Sequence, residues 1–410
     1  MSARFDVVIV GGGAAGIGAA RRLASSGLTT VLLEADSRLG GRAWTQEIAG
    51  LHLDLGCGWM HSAEKNAWVA LANEAGIAID RSRAAWGTQY RDLGFAPGEQ
   101  VEARKAFETW VHRLAHVGGD RASDALDPGG KWNSYIRAIV NFISGGNVDE
   151  LSAQDYLAYD EASTESNWRS LTGYGALVAA SFPEGVALHL ATPVESVELA
   201  ADGVIVRTPT DVVRARALVL TVSTGVLAGD TIKLPRQLDP WREAARSLPL
   251  GRNEKLFLEI LGQAPFEKET QLLGNPRDAC TGSYYMRPLG LPVVECFMGG
   301  ESARIVEEHG PAAAFAFVLE QLSALFGADI RRHLRPMAAS SWGRSIRVRG
   351  SYSYALPGKA GARQDLSRPC EQRIFLAGEA TSSDEFSTAH GAYDSGTRAA
   401  DEVVAAIRSA

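Results

Sequence analysis

The chain has 410 residues, 46% apolar and 22% charged, and a formal charge of −7, which allows two domains around a large buried core and, with no long basic run, argues against nucleic acid as a partner. Cys57, Cys280, Cys296 and Cys370 form no C-x-x-C pair, so neither a zinc site nor a disulfide framework is suggested. No apolar run approaches the roughly 20 residues of a membrane helix, and the first predicted strand starts too close to Met1 for a cleaved signal peptide, so a reduced cytoplasmic location is expected.

The β-branched run Val7-Val8-Ile9-Val10 stops at Gly11-Gly12-Gly13-Ala14-Ala15-Gly16, and Ile17, Ala20 and Leu23 follow at helical spacing. Strand, turn and helix place Gly11, Gly13 and Gly16 in the slots of a G-x-G-x-x-G dinucleotide turn, with Ala15 inside it. The helix N-terminus would receive a pyrophosphate on its free N–H groups. A second apolar strand, 28–33, ends at Glu34, whose carboxylate suits a ribose hydroxyl pair and would repel a 2′-phosphate.

Ala35-Asp36-Ser37-Arg38-Leu39-Gly40-Gly41-Arg42 follows directly. This second glycine doublet, closed by an arginine, resembles the extended FAD fingerprint of the flavin amine oxidases. The resemblance implies FAD, with Glu34, Ala35 and Arg42 on the cofactor; Arg42 brings fixed charge and planar donors.

Alternation over Leu51-His52-Leu53-Asp54-Leu55 predicts a short strand, followed by Gly56-Cys57-Gly58-Trp59-Met60-His61. The family has a similar segment against the flavin, which puts Gly56, Cys57, Gly58 and Trp59 at the cofactor and His61 on the substrate side. A helix is predicted over 66–76, and a mainly helical region over 83–182 in which Trp86, Trp110, Trp132 and Trp168 are expected mostly in the core. Strands are predicted at 186–190, 193–199, 204–208, 212–216 and 217–222. Val194 matches the family position whose backbone meets adenine.

In Asn253-Glu254-Lys255-Leu256-Phe257-Leu258-Glu259-Ile260, Leu256, Leu258 and Ile260 share one strand face and Lys255, Phe257 and Glu259 the other. The pattern alone reads Lys255 as solvated. The P-L-G-x-x-x-K spacing from Pro249 resembles the amine-oxidase segment whose lysine serves flavin N5, an electrostatic role on developing negative charge. An amphipathic helix interrupted near Gly310-Pro311 is predicted over 303–326. Trp342 through Gly358 resembles the family loop at the flavin ring and implies a cofactor contact for Trp342. Ser351 stands where monoamine oxidases carry the flavin-bonding cysteine, so FAD is expected to be non-covalent, and Tyr352 matches one wall of an aromatic substrate cage. The strand before Gly378-Glu379, and Thr388-Ala389-His390-Gly391 opening a last helix, match the C-terminal cofactor segment. Gly378, Glu379 and Ala389 are therefore assigned to FAD, and Thr388 to the position of the second cage tyrosine. The T-x-H-G-A form resembles the polyamine and histone-lysine oxidase branch.

The fold class expected is α/β: a Rossmann-like FAD-binding domain of the two-dinucleotide type (1–82, 183–245 and 343–410) with an α+β substrate domain (83–182 and 246–342). The expected activity is oxidation of a small-molecule amine, by hydride transfer from its α-carbon to flavin N5, with O2 as acceptor. Lys255, Tyr352, Thr388 and His61 are the catalytic candidates; no metal is implied, and a monomer or homodimer is expected. An amino-acid oxidase, for which Arg83, Arg169, Arg252 and Arg287 could supply the carboxylate partner, a carbon–carbon desaturase on the same fold, and a flavin-loaded scaffold remain open.

Overall fold

The computed structural model describes residues 3–409. Strand Ala3–Val10 lies inside a seven-stranded sheet, parallel to Thr30–Leu33 on one side and to Val212–Leu220 on the other. Ala187–His189 extends the sheet in parallel beyond Thr30–Leu33. Val212–Leu220 is one strand, where alternation predicts two. The first half of its free edge carries the antiparallel meander of Gly203–Arg207 and Ser196–Ala200, and the second half carries Ile374–Leu376 in parallel. A change of partner, not a break in the chain, divides it.

Apolar runs form these strands because both faces are covered. Val7 and Ile9 pack with Ile17 and Leu23 of helix Ala14–Ala24 and Val403 of helix Ala389–Ser409. Val8 and Val10 face a second core with Leu218, Leu220 and Leu238.

Five antiparallel strands make the other large sheet, in the order Thr270–Leu273, Gly282–Met286, Val293–Gly299, Asn253–Ile260 and Leu334–Ala339. Leu256, Leu258 and Ile260 pack with Val318 and Leu322 of helix Pro311–Phe326, while Phe257, on the opposite face, packs on Leu53 and Leu55. Before Gly310 the chain makes a π-helical turn, Ile305–His309, so the predicted interruption falls where Gly-Pro ends one helical run and starts the next. Helices Glu99–Leu114, Asn133–Ser144 and Ala153–Ala162 share a core built on Trp110, Ile136 and Tyr156. Asn66 caps the predicted helix at Ala67–Glu74 by accepting from Trp68 N. Trp110 and Trp132 are buried as expected, whereas Trp86 is 38% exposed. Among the described residues no helix is long and apolar enough to cross a membrane.

One buried ion pair fastens the helical layer to the C-terminal segment. Arg363 Nε and Nη2 donate to Asp155 at 2.6 and 2.9 Å, with both side chains 1% exposed. Asp155 also accepts from Ala355 N, and the guanidinium lies 3.4 Å from the centre of the Phe386 ring. Removing one partner strands the other charge out of water. Asp155→Ala is expected to cost about 3–5 kcal/mol, read as a lower denaturant midpoint in equilibrium unfolding; an unchanged midpoint would show that the pair does not hold these layers.

Candidate functional site

The glycine turn closes as the sequence requires. A Cβ at Gly16 would come 1.9 Å from Gly11 O, so helix Ala14–Ala24 can approach the first strand only at glycine. Ala15 is buried in that contact. Gly13 differs, because a Cβ there would meet nothing closer than 3.9 Å. The protein's own packing does not demand its bareness. It leaves a cradle at a helix start that has no capping side chain and no acid in its first turn, which fits a phosphate anion. Glu34, buried at the end of its strand, accepts from Gly12 N at 2.5 Å and Asp36 N at 2.7 Å. Burial, the largest influence, raises its pKa, with those two amides acting the other way. Ala35 begins the following turn, beside Asp36. Gly40 N donates to Gly12 O at 2.8 Å, bringing the second glycine loop against the first.

Arg42 and Glu379 meet at 3.0 Å although 337 residues apart. Arg42 also donates to Ser351 O. Glu379 accepts from Ser353 Oγ at 2.7 Å and Ser387 N at 3.0 Å. Its pKa is lowered: burial opposes ionisation, but the charges of Arg42 and Arg363 and these donors outweigh it. Arg42, Gly378 and Glu379 line one cavity with Thr224 and Thr381. Gly378 has φ +147°, a backbone that side-chain-bearing residues rarely adopt, and nothing lies within 4 Å of where its Cβ would be. Gly13 and Gly378 thus leave bare backbone uncovered, and Arg42, paired with Glu379, lies in the same cavity as Gly378, an arrangement that suits a dinucleotide.

Lys255 is 7% exposed. Its Nζ sits 2.8 Å from Glu295 Oε1, and a Cβ on Gly58 would approach Nζ to 3.0 Å. The glycine-lined loop and the lysine therefore meet. Burial is the largest influence on the ammonium and lowers its pKa; the charges of Glu295 and then Asp54 reverse this, so it stands raised. Cys57 N donates to Arg42 O at 3.2 Å, and burial first, then Asp54, pushes its thiol up to about 12. A Cβ on Gly56 would overlap Arg42 O, which fixes this loop to the arginine. Trp342 Nε1 donates to Leu55 O at 3.0 Å beside it.

Tyr352 Oη donates to Phe142 O at 2.6 Å. The Phe142 ring lies 6.0 Å from Phe297, the cross-strand partner of Lys255, so Tyr352 and Lys255 are joined through two phenylalanines. The Trp59 ring lies 4.5 Å from that of Trp86, their planes inclined at 58°, and carries the Arg169 guanidinium over its face at 4.5 Å. His61 Nδ1 lies 2.6 Å from Asn167 Oδ1, and burial, its largest influence, lowers its pKa and favours the neutral ring. Thr388 acts as a helix cap: its hydroxyl donates to Glu385 O and accepts from Gly391 N. Ala389 O accepts from Trp68 Nε1. Val194 is 8% exposed within the core, on the side of Val10 and Leu33.

Three participants carry no signal in the sequence pattern. Glu295 reads as an ordinary polar position in an alternating strand, and only the antiparallel register sets it diagonally beside Lys255. Asn253, whose Oδ1 accepts from Ser351 Oγ at 2.7 Å and whose Nδ2 donates to Asn141 O at 3.1 Å, ties the flavin-loop segment to helix Asn133–Ser144. Arg363 precedes the recognisable Gly-Glu motif and is found only by its contacts.

The sequence profile described as "Flavin containing amine oxidoreductase" matches residues 14–113 and 104–404. Similar relatives include "Polyamine oxidase 2" of Arabidopsis thaliana, 26% identical over 97% of this chain and 87% of that protein. "Polyamine oxidase 4" of Oryza sativa subsp. japonica is 28% identical over 97% and 88%. "Lysine-specific histone demethylase 1 homolog 2" of Arabidopsis thaliana is 25% identical over 97% of this chain and 58% of that protein. Among solved structures, wild-type putrescine oxidase bound to putrescine superposes with a TM-score of 0.76 at 18% identity, covering 99% of this chain and all of that one. The chain belongs to the flavin amine oxidase superfamily, and it is an FAD-dependent oxidoreductase acting on amines.

The two glycines separate by experiment. Gly13→Ala is expected to leave the apoprotein's unfolding midpoint near wild type while lowering FAD retention on gel filtration, whereas Gly16→Ala lowers the midpoint itself. Equal loss of stability in both would deny Gly13 its role as a cradle. Glu254, on the sheet face opposite Lys255, is raised to about 7 from 4.5 by burial first, against bonds from Ser340 Oγ and Gly343 N. A carboxyl raised on folding contributes stability below pH 4.5 that is lost as pH rises through about 7. Glu254→Gln is therefore expected to gain up to about 3 kcal/mol over wild type at pH 8.5, with no gain at pH 4, in urea titrations at both values.

Proposed function

We propose that the chain oxidises a di- or polyamine at the site bounded by Lys255, Tyr352 and His61, with non-covalent FAD held by segments 1–82, 183–245 and 343–410 and substrate by 83–182 and 246–342. The observation that carries this reading is the buried Lys255 ammonium, paired with Glu295 and pressed against the Gly58 loop. The residues that would hold the cofactor are Gly11, Gly13, Glu34, Arg42, Gly378 and Glu379. When bound, FAD would supply the two-electron oxidation of the carbon bearing nitrogen, with O2 as the final acceptor giving hydrogen peroxide and the imine hydrolysing to an aldehyde or ketone.

The chain's own residues prepare that chemistry. Lys255 brings a fixed positive charge to a largely buried position, where it stabilises developing negative charge. Tyr352, its hydroxyl proton spent on Phe142 O, has its ring to offer to an amine. Thr388, where monoamine oxidases carry a tyrosine, is committed to the helix cap, so the opposing wall is not aromatic at that residue. Neutral His61, beside Trp86, adds a polar edge without repelling a cation. Ser351 Oγ is bonded to Asn253 and cannot form the thioether that a cysteine makes.

The amino-acid oxidase reading is weakened by the arginines. Arg83 pairs with Glu165, Arg169 with both Asp80 and Glu269, and Arg252 with Glu307 and Glu308. These three have acidic partners, whereas Arg287, the fourth candidate, has no ion pair among the described residues. The polyamine reading also draws on the names of the sequence relatives.

Anaerobic mixing with putrescine, spermidine, spermine, benzylamine and free amino acids tests the assignment. Di- or polyamines are expected to bleach the visible flavin band fastest, with peroxide on admitting air, and acid precipitation to release the flavin into the supernatant. Lys255→Met is expected to slow turnover by about 10²-fold. A flavin that only amino acids bleach, or none of the panel, would overturn the reading.

A further inference from the structure

Among the described residues, Lys255 has one carboxylate in direct contact. The register pairs Lys255 with Phe297 and Phe257 with Glu295, so Glu295 lies diagonally across the sheet on the lysine's face, 2.8 Å from Nζ. Asp54 is the second charge that favours the ammonium, acting without direct contact, and the remaining charged or titratable groups around the lysine are paired or uncharged. Asp54 spends its oxygens on Thr45 Oγ1 and on the amides of Tyr174 and Gly175. Cys57 is held protonated, and His61 is held neutral. Arg169, which faces the same space as Glu295, is neutralised by Asp80 and Glu269, and Glu269 also takes the Tyr285 hydroxyl.

Glu295 is also the member of the pair with the greater access to water. A cavity of about 270 Å³ runs from His52 and Leu171, which are exposed, to Glu295, Asp54 and Gly58. The Glu295 side chain keeps 19% of its surface and that of Lys255 only 9%. The buried Nη1 of Arg169 finds no protein acceptor among the described residues, and water in this cavity would supply one.

We propose that Glu295 is the positioning residue for Lys255: it holds the ammonium in place and charged, and it joins that charge to solvent through the cavity bounded by His52, Leu171 and Asp54. This rests on the reading of Lys255 as the residue that serves the flavin. Without Glu295, burial, the largest influence on the lysine, acts with less opposition and the ammonium gives up its proton more readily.

The test compares wild-type holoenzyme with Lys255→Met, Glu295→Gln and Glu295→Asp, measuring the midpoint potential and visible spectrum of the bound flavin from pH 6 to 11. Wild type is expected to show no lysine break below 10.5, the ordinary lysine value. In Glu295→Gln the break moves down by about 1–3 pH units, and above it the potential falls to that of Lys255→Met. Glu295→Asp, which keeps the charge, holds the break above that of Glu295→Gln. If Lys255→Met has the wild-type potential at every pH, the lysine does not act on the flavin and both readings fall. If Lys255→Met lowers the potential but Glu295→Gln follows wild type, only the assignment of Glu295 falls. A Glu295→Asp variant that breaks at the same pH as Glu295→Gln also overturns it, because size rather than charge would then be what matters.

Discussion

A chain of buried charge and hydrogen bonds, Arg42–Glu379–Ser353–Arg363–Asp155, is the constraint on which the rest depends. It draws on the first glycine loops, the helical insertion and the C-terminal segment. Each charge would be costly alone out of water, and each is paired or hydrogen-bonded to the next. The arrangement selects geometry more than it adds stability: the charges of Arg42 and Arg363, with donors from Ser353 and Ser387, favour the ionised Glu379 against its burial. The same network sets the loop that carries Ser351 and Tyr352, since Arg42 donates to Ser351 O and Ser353 binds Glu379 through both its amide and its hydroxyl. A packing core alone would tolerate a shift of this loop; directional bonds to a buried carboxylate do not.

Close backbone approach is the second organising device, and it serves two purposes. At Gly16 and Gly56 the space for a side chain is filled by the protein's own carbonyls, so glycine is a condition of folding. At Gly13 and Gly378 that space is open, so bare backbone is left for something other than the protein. One residue type thus marks both scaffold and site, and coordinates are needed to tell which.

Lys255 shows how tertiary context reverses a local reading. Alternation sets it opposite Leu256 and Leu258, the face on which a strand usually meets solvent. That face is covered instead by the hairpin Thr45–Ile48 and Leu51–Asp54 and by the glycine loop after it, and Phe257 packs there on Leu53. A buried ammonium then needs a counterion, and the register of the neighbouring strand supplies Glu295.

Much was legible along the chain. The first strand, glycine turn, helix and acid lie within the first 34 residues, because a phosphate-binding turn is local in sequence. The interrupted helix at Gly310-Pro311 follows from an equally local rule of backbone geometry, and the last helix opens where the T-x-H-G-A motif places it. The continuity of Val212–Leu220 was not legible, because it depends on which strands share its edge. Nor were the partnerships of Arg363, Asn253 and Glu295, or the capping role that occupies Thr388. The sequence by itself determined the family and the strand, glycine turn and helix at its start, since each is written in spacing over a few residues. Only the tertiary structure decided which charges neutralise one another and which faces lose contact with water. Pairing and desolvation act between groups up to hundreds of positions apart, and no local pattern records them.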